Sequence, residues 1–243
     1  MGATRIEFRL RLLIVVAFVG LGFWAPWIEA WGVGRRISLL EWLALELSRL
    51  ASLPFAISTA AVIGLASLLA LIGALLRVWG AAWLGPEVVQ HRRMQARGLL
   101  ASGPYRFMRN PLYLGSWFTV AALSFLMPAG GAPLAVAAVV LFQLRLILGE
   151  EAFLSAQLGD SYLAYKQAVP RLLPRLKTTV QPERRRPQWL HALLAEIFPI
   201  GLFVILAALS WRYDLRLMAK AILVCFGIAL VARGLGQGRR GEA

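Results

Sequence analysis

Six long apolar stretches dominate this chain and limit what it can fold into. They cover residues 12–27, 53–76, 112–127, 133–148, 192–211 and 217–232. A helix needs about 20 apolar residues to cross the hydrocarbon core of a bilayer, and fewer where flanking residues reach outward or the membrane thins. With 59% hydrophobic and only 16% charged residues, the chain is too apolar for an ordinary water-soluble domain. We therefore predict an all-α, polytopic membrane helical bundle with about six transmembrane helices.

Basic residues are concentrated in alternate connections between these stretches. The net charge of +14 is compatible with nucleic-acid binding, but membrane proteins also collect Lys and Arg in their cytosolic loops. The richer segments contain Arg5, Arg9 and Arg11, then Arg92, Arg93, Arg97, Arg106 and Arg109, then residues 166–186, and finally Arg233, Arg239 and Arg240. This bias predicts an integral protein of a bacterial cytoplasmic membrane with both termini in the cytosol. Membrane lipids are expected partners, and nucleic acid is not.

The N-terminal region predicts a retained span followed by a helix at the membrane surface. Its basic start and first apolar stretch resemble a signal peptide, but Pro26, Trp27 and Glu29 make a poor cleavage region. Ser38 and Glu41 have the spacing of a capping box and precede an apolar helix that we expect in the interface. We divide the chain into this region (residues 1–59), a membrane core (60–176), a basic cytosolic linker (177–190), and a C-terminal transmembrane hairpin with a basic tail (191–243).

The third and fourth stretches predict a tight helical hairpin, because residues 128–133 form a turn without charge. The hairpin would bring its two cytosolic flanks to one membrane face. In the first flank, Asn110 is a preferred N-cap and Pro111 a preferred first helical residue, so the pair is consistent with a plain helix start. Arg109, beside that helix N-terminus, is also a natural receptor for a carboxylate. We favour a ligand site.

Two adjacent carboxylates, Glu150 and Glu151, follow directly on the fourth stretch. The helix macrodipole disfavours acidic groups at a C-terminus unless the helix breaks at Gly149 or the pair has a partner. After a break, both would begin a new helix favourably. Acidic groups at membrane depth usually mark a functional site, and we interpret this pair as one.

Together, the two flanks resemble the core of the isoprenylcysteine carboxyl methyltransferase family, which is similar to that of membrane phospholipid methyltransferases. The shared pattern is Gly-Pro-Tyr, three residues, Arg-Asn-Pro, one residue, Tyr, one residue and Gly, starting at Gly103. After the hairpin come Glu-Glu and then Tyr162, Tyr165 and Arg171. The resemblance covers roughly residues 60–176, and the paired motifs are more specific than either alone.

The resemblance implies an S-adenosylmethionine-dependent methyltransferase with a cofactor pocket facing the cytosol and a lipophilic or lipidated substrate arriving from the bilayer. It implies a catalytic group of Arg109, Asn110 and Tyr113, cofactor-binding residues Gly103, Pro104, Tyr105, Pro111, Gly115, Glu150 and Glu151, and substrate-binding residues Tyr162, Tyr165 and Arg171 at the rim. Many family members carry His where this chain has Asn110, so no imidazole acts at that position, and His91 does not simply replace it. No metal is required, because the sulfonium donor is already electrophilic.

The methyl acceptor stays open between an isoprenylcysteine-type carboxylate and a phospholipid-type amine. A carboxylate would be oriented by a cation such as Arg109, whereas an amine must lose a proton before or during attack. Neither motif distinguishes the two.

Two other functions compete with methyl transfer. Membrane sterol and steroid reductases that use NADPH carry a similar Arg-His-Pro-x-Tyr-x-Gly segment, often followed by an acidic residue, but here Ser116 follows the glycine. A non-catalytic membrane protein of the same fold is the other alternative, and the presence of Arg109 with both glutamates argues against it. The glycine run at 234–238 follows an apolar stretch rather than a strand, so we interpret it as a flexible basic tail and not as a nucleotide-binding loop.

Overall fold

The computed structural model describes residues 3–24, 37–84, 102–175, 177–181, 186–209 and 214–238. Within these ranges every regular secondary-structure element is a helix, and the only β-type pairing is an isolated bridge between Ser38 and Pro128. The helices are α1 (Arg5–Arg9), α2 (Arg11–Phe23), α3 (Leu39–Ala51), α4 (Phe55–Leu84), α5 (Pro111–Ser124), α6 (Gly131–Leu158), α7 (Asp160–Ala168), α8 (Trp189–Ala195), α9 (Ile197–Leu209) and α10 (Leu215–Gly238), with a 3-10 turn at Gly103–Arg106. The predicted all-α fold is confirmed.

Three of these helices are long and apolar enough to cross a membrane. They are Phe55–Leu84, Gly131–Leu158 and Arg216–Gly234, and α8 with α9 makes a fourth if that bent pair is one span. Helix α2 has only 13 residues and α5 only 14, so each is shorter than a full span. Because of the long apolar helices, the chain is an integral membrane helical bundle. The count of six spans and the cytosolic position of both termini stay predictions.

Helix α4 is the centre of the bundle and packs against α3, α5, α8 and α9. Its contact with α5 is close because small residues face each other: a Cβ on Gly115 would lie 3.0 Å from the Gly73 carbonyl oxygen. Membrane helices commonly use such small residues to bring backbones together. Since α4 begins at Phe55, the predicted boundary between residues 59 and 60 falls inside this helix.

Helix α3 begins at the predicted capping box. The Ser38 hydroxyl accepts a hydrogen bond from the Glu41 N–H at 3.1 Å, and the Glu41 carboxylate accepts one from the Ser38 N–H at 2.9 Å. Leu40 and Ala44 are fully buried in the same apolar cluster as α4 residues. The predicted helix is therefore present, and one face of it belongs to the core.

Helices α5 and α6 are connected by residues 125–130 and contact each other, as the hairpin prediction requires. The connection is as long as the predicted turn but lies three residues earlier, because α5 ends at Ser124 and α6 begins at Gly131. A Cβ on Gly131 would overlap the carbonyl oxygen of Gly22, so glycine at this position lets α2 lie directly on α6. Helix α6 continues without interruption to Leu158, and the alternative of a break at Gly149 is wrong.

The C-terminal region differs from the predicted hairpin of two straight spans. Helices α8 and α9 meet at Glu196 with a bend of 70°, so the stretch 192–211 is a broken helix. Both α8 and α9 pack against α4, which joins this region to the core. Helix α10 runs to Gly238, so the glycine run is helical and its interpretation as a flexible tail is wrong; residues 239–243 lie outside the described ranges.

Candidate active site

The 3-10 turn at Gly103–Arg106 lies on the end of α4. Gly103 has φ +54°, and a Cβ there would overlap the Trp83 indole, so both the backbone conformation and the available space require glycine. Pro104 is fully buried. The predicted cofactor-binding residues Gly103 and Pro104 therefore have a clear packing role in shaping this turn.

Arg109 ties the start of α5 to two later segments of the chain. Its backbone N–H donates to the Pro170 carbonyl oxygen at 2.9 Å, and its Nη1 donates to the Lys166 carbonyl oxygen at 2.7 Å. Its Nη2 lies 3.0 Å from Glu151 Oε1, and only 7% of the Arg109 side chain is exposed. The Nε of Arg109 is buried and has no hydrogen-bond partner among the described residues. Arg109 was predicted to bind the carboxylate of a ligand. In this structure it binds the carboxylate of Glu151 instead.

Glu151 binds a second arginine as well. Arg171 donates from Nε to Glu151 Oε1 at 3.1 Å and from Nη2 to Oε2 at 2.8 Å, which is the bidentate geometry that makes such pairs strong. The hydrogen bonds to Glu151 raise the pKa of Arg171 above its ordinary value. Both oxygens of Glu151 are occupied, and the side chain is 5% exposed. Adjacent acids after an apolar stretch were expected to need either a helix break or a partner. For Glu151 the partner is present.

Glu150 lies in a different environment from its neighbour. Its carboxylate is 27% exposed, and among the described residues it forms an ion pair only with Arg11, whose Nη1 is 3.9 Å from Glu150 Oε1. The Tyr113 hydroxyl also interacts with the Glu150 carboxylate. Glu150 is thus the less completely paired of the two acids, and the predicted residue Tyr113 lies beside it.

Asn110 and Pro111 begin α5, but Asn110 does not act as a side-chain cap. Its Nδ2 donates instead to the Arg171 carbonyl oxygen at 3.1 Å. Asn110 and Arg109 therefore both hold the segment after α7 against the start of α5. Pro111 is buried at the first position of the helix, where a proline is tolerated because the first N–H groups lack helical partners.

Three of the four tyrosines of the predicted site, Tyr105, Tyr162 and Tyr165, are buried. Tyr162 and Tyr165 pack with Val169 in an apolar cluster, and Tyr165 donates from its hydroxyl to the Tyr105 carbonyl oxygen at 2.7 Å. Burial raises the pKa of Tyr162 to about 12 and also raises the pKa values of Tyr165 and Tyr105, so the hydroxyls stay protonated donors. The expected position of Tyr162 and Tyr165 at the rim is wrong, although their contact with a substrate remains a prediction.

A second ion pair, which the sequence analysis missed, lies where α4 meets the C-terminal helices. Arg77 donates to Glu196 through Nε at 2.6 Å and Nη2 at 2.9 Å, and Glu196 is fully buried at the bend between α8 and α9. The remaining Nη1 donates to Ser116 Oγ at 2.5 Å. Gly115 makes room for this side chain, since a Cβ there would lie 2.6 Å from Arg77 Cγ. The sequence did contain a signal for this pair, because Arg77 directly follows one apolar stretch and Glu196 lies within another. Charged residues at membrane depth are costly and usually have a partner or a function.

The structure therefore brings Arg109, Asn110, Glu151 and Arg171 together as one network, with Glu150 and Tyr113 beside it. Gly115 lies at the α4–α5 crossing, where its evident role is packing. No group of three His, Cys, Asp or Glu side chains suited to a metal ion occurs within the described ranges. His91 and the basic residues Arg92, Arg93 and Arg97 lie outside those ranges.

Residues 61–161 match a family model described as phospholipid methyltransferase. The match covers less than half of the chain and runs from α4 to the start of α7, so it contains Gly103, Arg109 and both glutamates of α6. It confirms the predicted resemblance to membrane methyltransferases over the core. No curated protein and no solved structure gives a significant match. Arg171 and the C-terminal helices lie beyond the matched region.

Proposed function

We propose that this protein is an S-adenosylmethionine-dependent methyltransferase that acts on a lipophilic acceptor at the cytosolic face of the membrane. The observation that carries the proposal is Glu150, a partly exposed and loosely paired carboxylate at the end of an apolar bundle. Such a group is costly at membrane depth unless it serves a polar ligand. The match of the surrounding core to a phospholipid methyltransferase family supports this assignment.

Glu150 is the better candidate of the two glutamates for binding the cofactor. Both carboxylate oxygens of Glu151 are occupied by Arg109 and Arg171, whereas the ion pair between Glu150 and Arg11 is 3.9 Å long. The cofactor carries an ammonium group and ribose hydroxyls, which form charge-assisted hydrogen bonds with a carboxylate. The buried, unpartnered Nε of Arg109 offers one donor to an oxygen of the ligand. The residues present thus fit this cofactor.

When bound, S-adenosylmethionine supplies an electrophilic methyl group, so the protein mainly has to align the acceptor and exclude water. Tyr113 and Arg11 lie beside Glu150 and interact with its carboxylate. Asn110 acts as a positioning residue, and Arg109 has a positioning role besides offering its Nε to the ligand, because their hydrogen bonds hold α5, α6 and the segment after α7 together. The apolar helices around this end keep bulk water away and let a lipid chain reach the site from the bilayer. The family description favours a phospholipid-type acceptor over a prenylated carboxylate.

Calorimetry on the purified protein in lipid nanodiscs tests the cofactor assignment. We expect binding of S-adenosylmethionine and none of NADPH, and we expect Glu150→Gln to raise the dissociation constant by roughly ten- to a hundredfold, the equivalent of one hydrogen bond to a charged group. Glu46→Gln is a suitable control, since among the described residues Glu46 forms an ion pair only with the exposed Arg49 on α3. Binding of NADPH in place of S-adenosylmethionine would support a reductase and contradict the proposal.

The reaction itself is tested by incubating the protein and a labelled methyl donor with a membrane lipid extract. Transfer of label to a lipid that depends on Glu150 supports the proposal. If the protein binds the cofactor but labels no lipid, the lipophilic acceptor is wrong. If it binds neither cofactor, the protein is a non-catalytic member of the fold.

A further inference from the structure

The N-terminal segment lies directly on the part of α6 that leads to Glu150. The Ala3 N–H donates to the Arg145 carbonyl oxygen at 3.0 Å, and the Glu7 carboxylate accepts a hydrogen bond from Arg145 Nη2 at 3.0 Å. This close approach depends on Gly149, because a Cβ there would lie only 3.0 Å from the Ala3 nitrogen. The segment is therefore fixed to α6 through both its backbone and a side chain.

Phe8 extends this contact to Arg11. The Phe8 side chain is buried and packs with Phe142 and Leu146 of α6. The guanidinium carbon of Arg11 lies 4.5 Å from the centroid of the Phe8 ring, which is within the range of a cation–π contact. Stacking of this kind uses a face of the planar guanidinium group and leaves the N–H groups at its edge available to an acceptor. The contacts of the N-terminal segment with α6 thus set where the Arg11 guanidinium group lies.

Arg11 and Glu150 are neighbours without being tightly joined. Arg11 Nη1 lies 3.9 Å from Glu150 Oε1, which is an ion-pair distance but longer than a hydrogen bond. By comparison, Arg171 and Glu151 meet at 2.8 Å. The side chains of Arg11 and Glu150 are 32% and 27% exposed, so both charges remain accessible to a polar ligand.

We propose that Arg11 and Glu150 together form a site for an α-amino-acid zwitterion, in which Glu150 binds the ammonium group of S-adenosylmethionine and Arg11 binds its carboxylate. This inference rests on the proposed function and deepens it, because it assigns the methionine end of the cofactor to a residue outside the matched region 61–161. The ammonium and carboxylate groups of the cofactor are attached to one carbon atom, so they are neighbours, as the two side chains are. Each charge of the ligand then meets the opposite charge of the protein.

A ligand carboxylate beside Glu150 requires a cation, because two carboxylates in contact repel each other. Arg109 and Arg171 are both engaged with Glu151, at 3.0 and 2.8 Å. Taking either of them for the ligand would weaken the pairing of a glutamate side chain that is only 5% exposed, which is costly. Arg11 can provide a guanidinium fork to the carboxylate without breaking such a contact.

The test is calorimetry in lipid nanodiscs with two ligands that differ in the carboxylate, S-adenosylmethionine and its decarboxylated analogue. Wild type should bind S-adenosylmethionine roughly tenfold or more tightly than the analogue, the equivalent of one hydrogen bond to a charged group. Arg11→Gln should weaken S-adenosylmethionine by about that factor and leave the affinity for the analogue unchanged. Glu150→Gln should weaken both ligands, since both carry the ammonium group.

Two further variants serve as controls. Arg11→Lys keeps the charge but loses the fork, so its preference for the carboxylate should be intermediate, and it takes the place of Arg11→Gln if that variant does not fold. Arg9→Gln makes the same chemical change on an exposed side chain two residues earlier and should bind both ligands as wild type does. Because the two ligands are compared within each variant, a general loss of structure would lower both affinities together.

Three results would overturn the zwitterion site while leaving the proposed function in place. The first is an unchanged affinity of Arg11→Gln for S-adenosylmethionine. The second is an equal loss for both ligands, which would make Arg11 a residue that only orients Glu150. The third is tighter binding of S-adenosylmethionine, which would show that Arg11 competes with the ligand ammonium for Glu150. Wild-type protein that binds neither ligand would overturn the proposed function and this inference together.

Discussion

Replacing Glu151 with Gln removes the only carboxylate that neutralises Arg109 among the described residues. The side chains of Glu151 and Arg109 are 5% and 7% exposed, so little water is available to compensate. Loss of one partner from a buried ion pair costs about 3 to 5 kcal/mol. We take the lower end, about 3 kcal/mol, because the Gln oxygen still accepts one hydrogen bond and Arg171 is 40% exposed. With about 2 to 4 °C per kcal/mol for a chain of this length, the melting temperature should fall by about 6 to 12 °C.

The assay is the apparent melting temperature in detergent, followed by intrinsic tryptophan fluorescence, together with the affinity for S-adenosylmethionine. Glu150→Gln is the matched comparison, because it makes the same chemical change one residue away at a loosely paired site. We expect Glu151→Gln to lower stability more than affinity and Glu150→Gln to do the reverse. The double variant with Arg171→Gln should be destabilised by less than the sum of the single changes, with a coupling of about 0.5 to 3 kcal/mol.

The reasoning is refuted if Glu151→Gln melts with wild type while cofactor affinity falls. In that case Glu151 would face the ligand, and its bonds to the two arginines would contribute nothing to the fold. Strict additivity of Glu151→Gln and Arg171→Gln would also contradict a direct pair.

Three further predictions address the rest of the site and the topology. Arg109→Lys should lower turnover roughly tenfold or more, because lysine lacks the planar fork that spans two acceptors. Wild-type turnover in a folded Arg109→Lys protein would exclude a role of the Arg109 guanidinium in the reaction. Gly103→Ala should lower the melting temperature more than Gly159→Ala, since both positions have positive φ but only Gly103 faces an indole, that of Trp83; equal losses would show that the overlap is relieved. Reporter fusions after Ala243 and in the connection before α3 should report a cytosolic C-terminus and an external loop, and the opposite result would reject the predicted orientation.

Local features of this protein were readable from its sequence because each depends on residues close together in the chain. The apolar stretches indicated membrane helices, and the spacing of Ser38 and Glu41 indicated the start of α3, since a capping box involves only neighbouring residues. The paired motifs around Arg109 and Glu150 indicated the methyltransferase-like core that the family match confirmed. The sequence also indicated that adjacent glutamates after an apolar run need a partner.

The choice of partners was decided only by the tertiary structure. Glu150 and Glu151 are neighbours in sequence, but successive residues of a helix point about 100° apart, so one reaches Arg109 and Arg171 while the other faces Arg11. Helix α6 continues through Gly149 to Leu158, and the bend between α8 and α9 lies at Glu196, which pairs with Arg77 from a distant segment. Ion pairs over such separations, like that of Arg77 with Glu196, leave no pattern in a single sequence because either residue could pair with any opposite charge that the fold brings near.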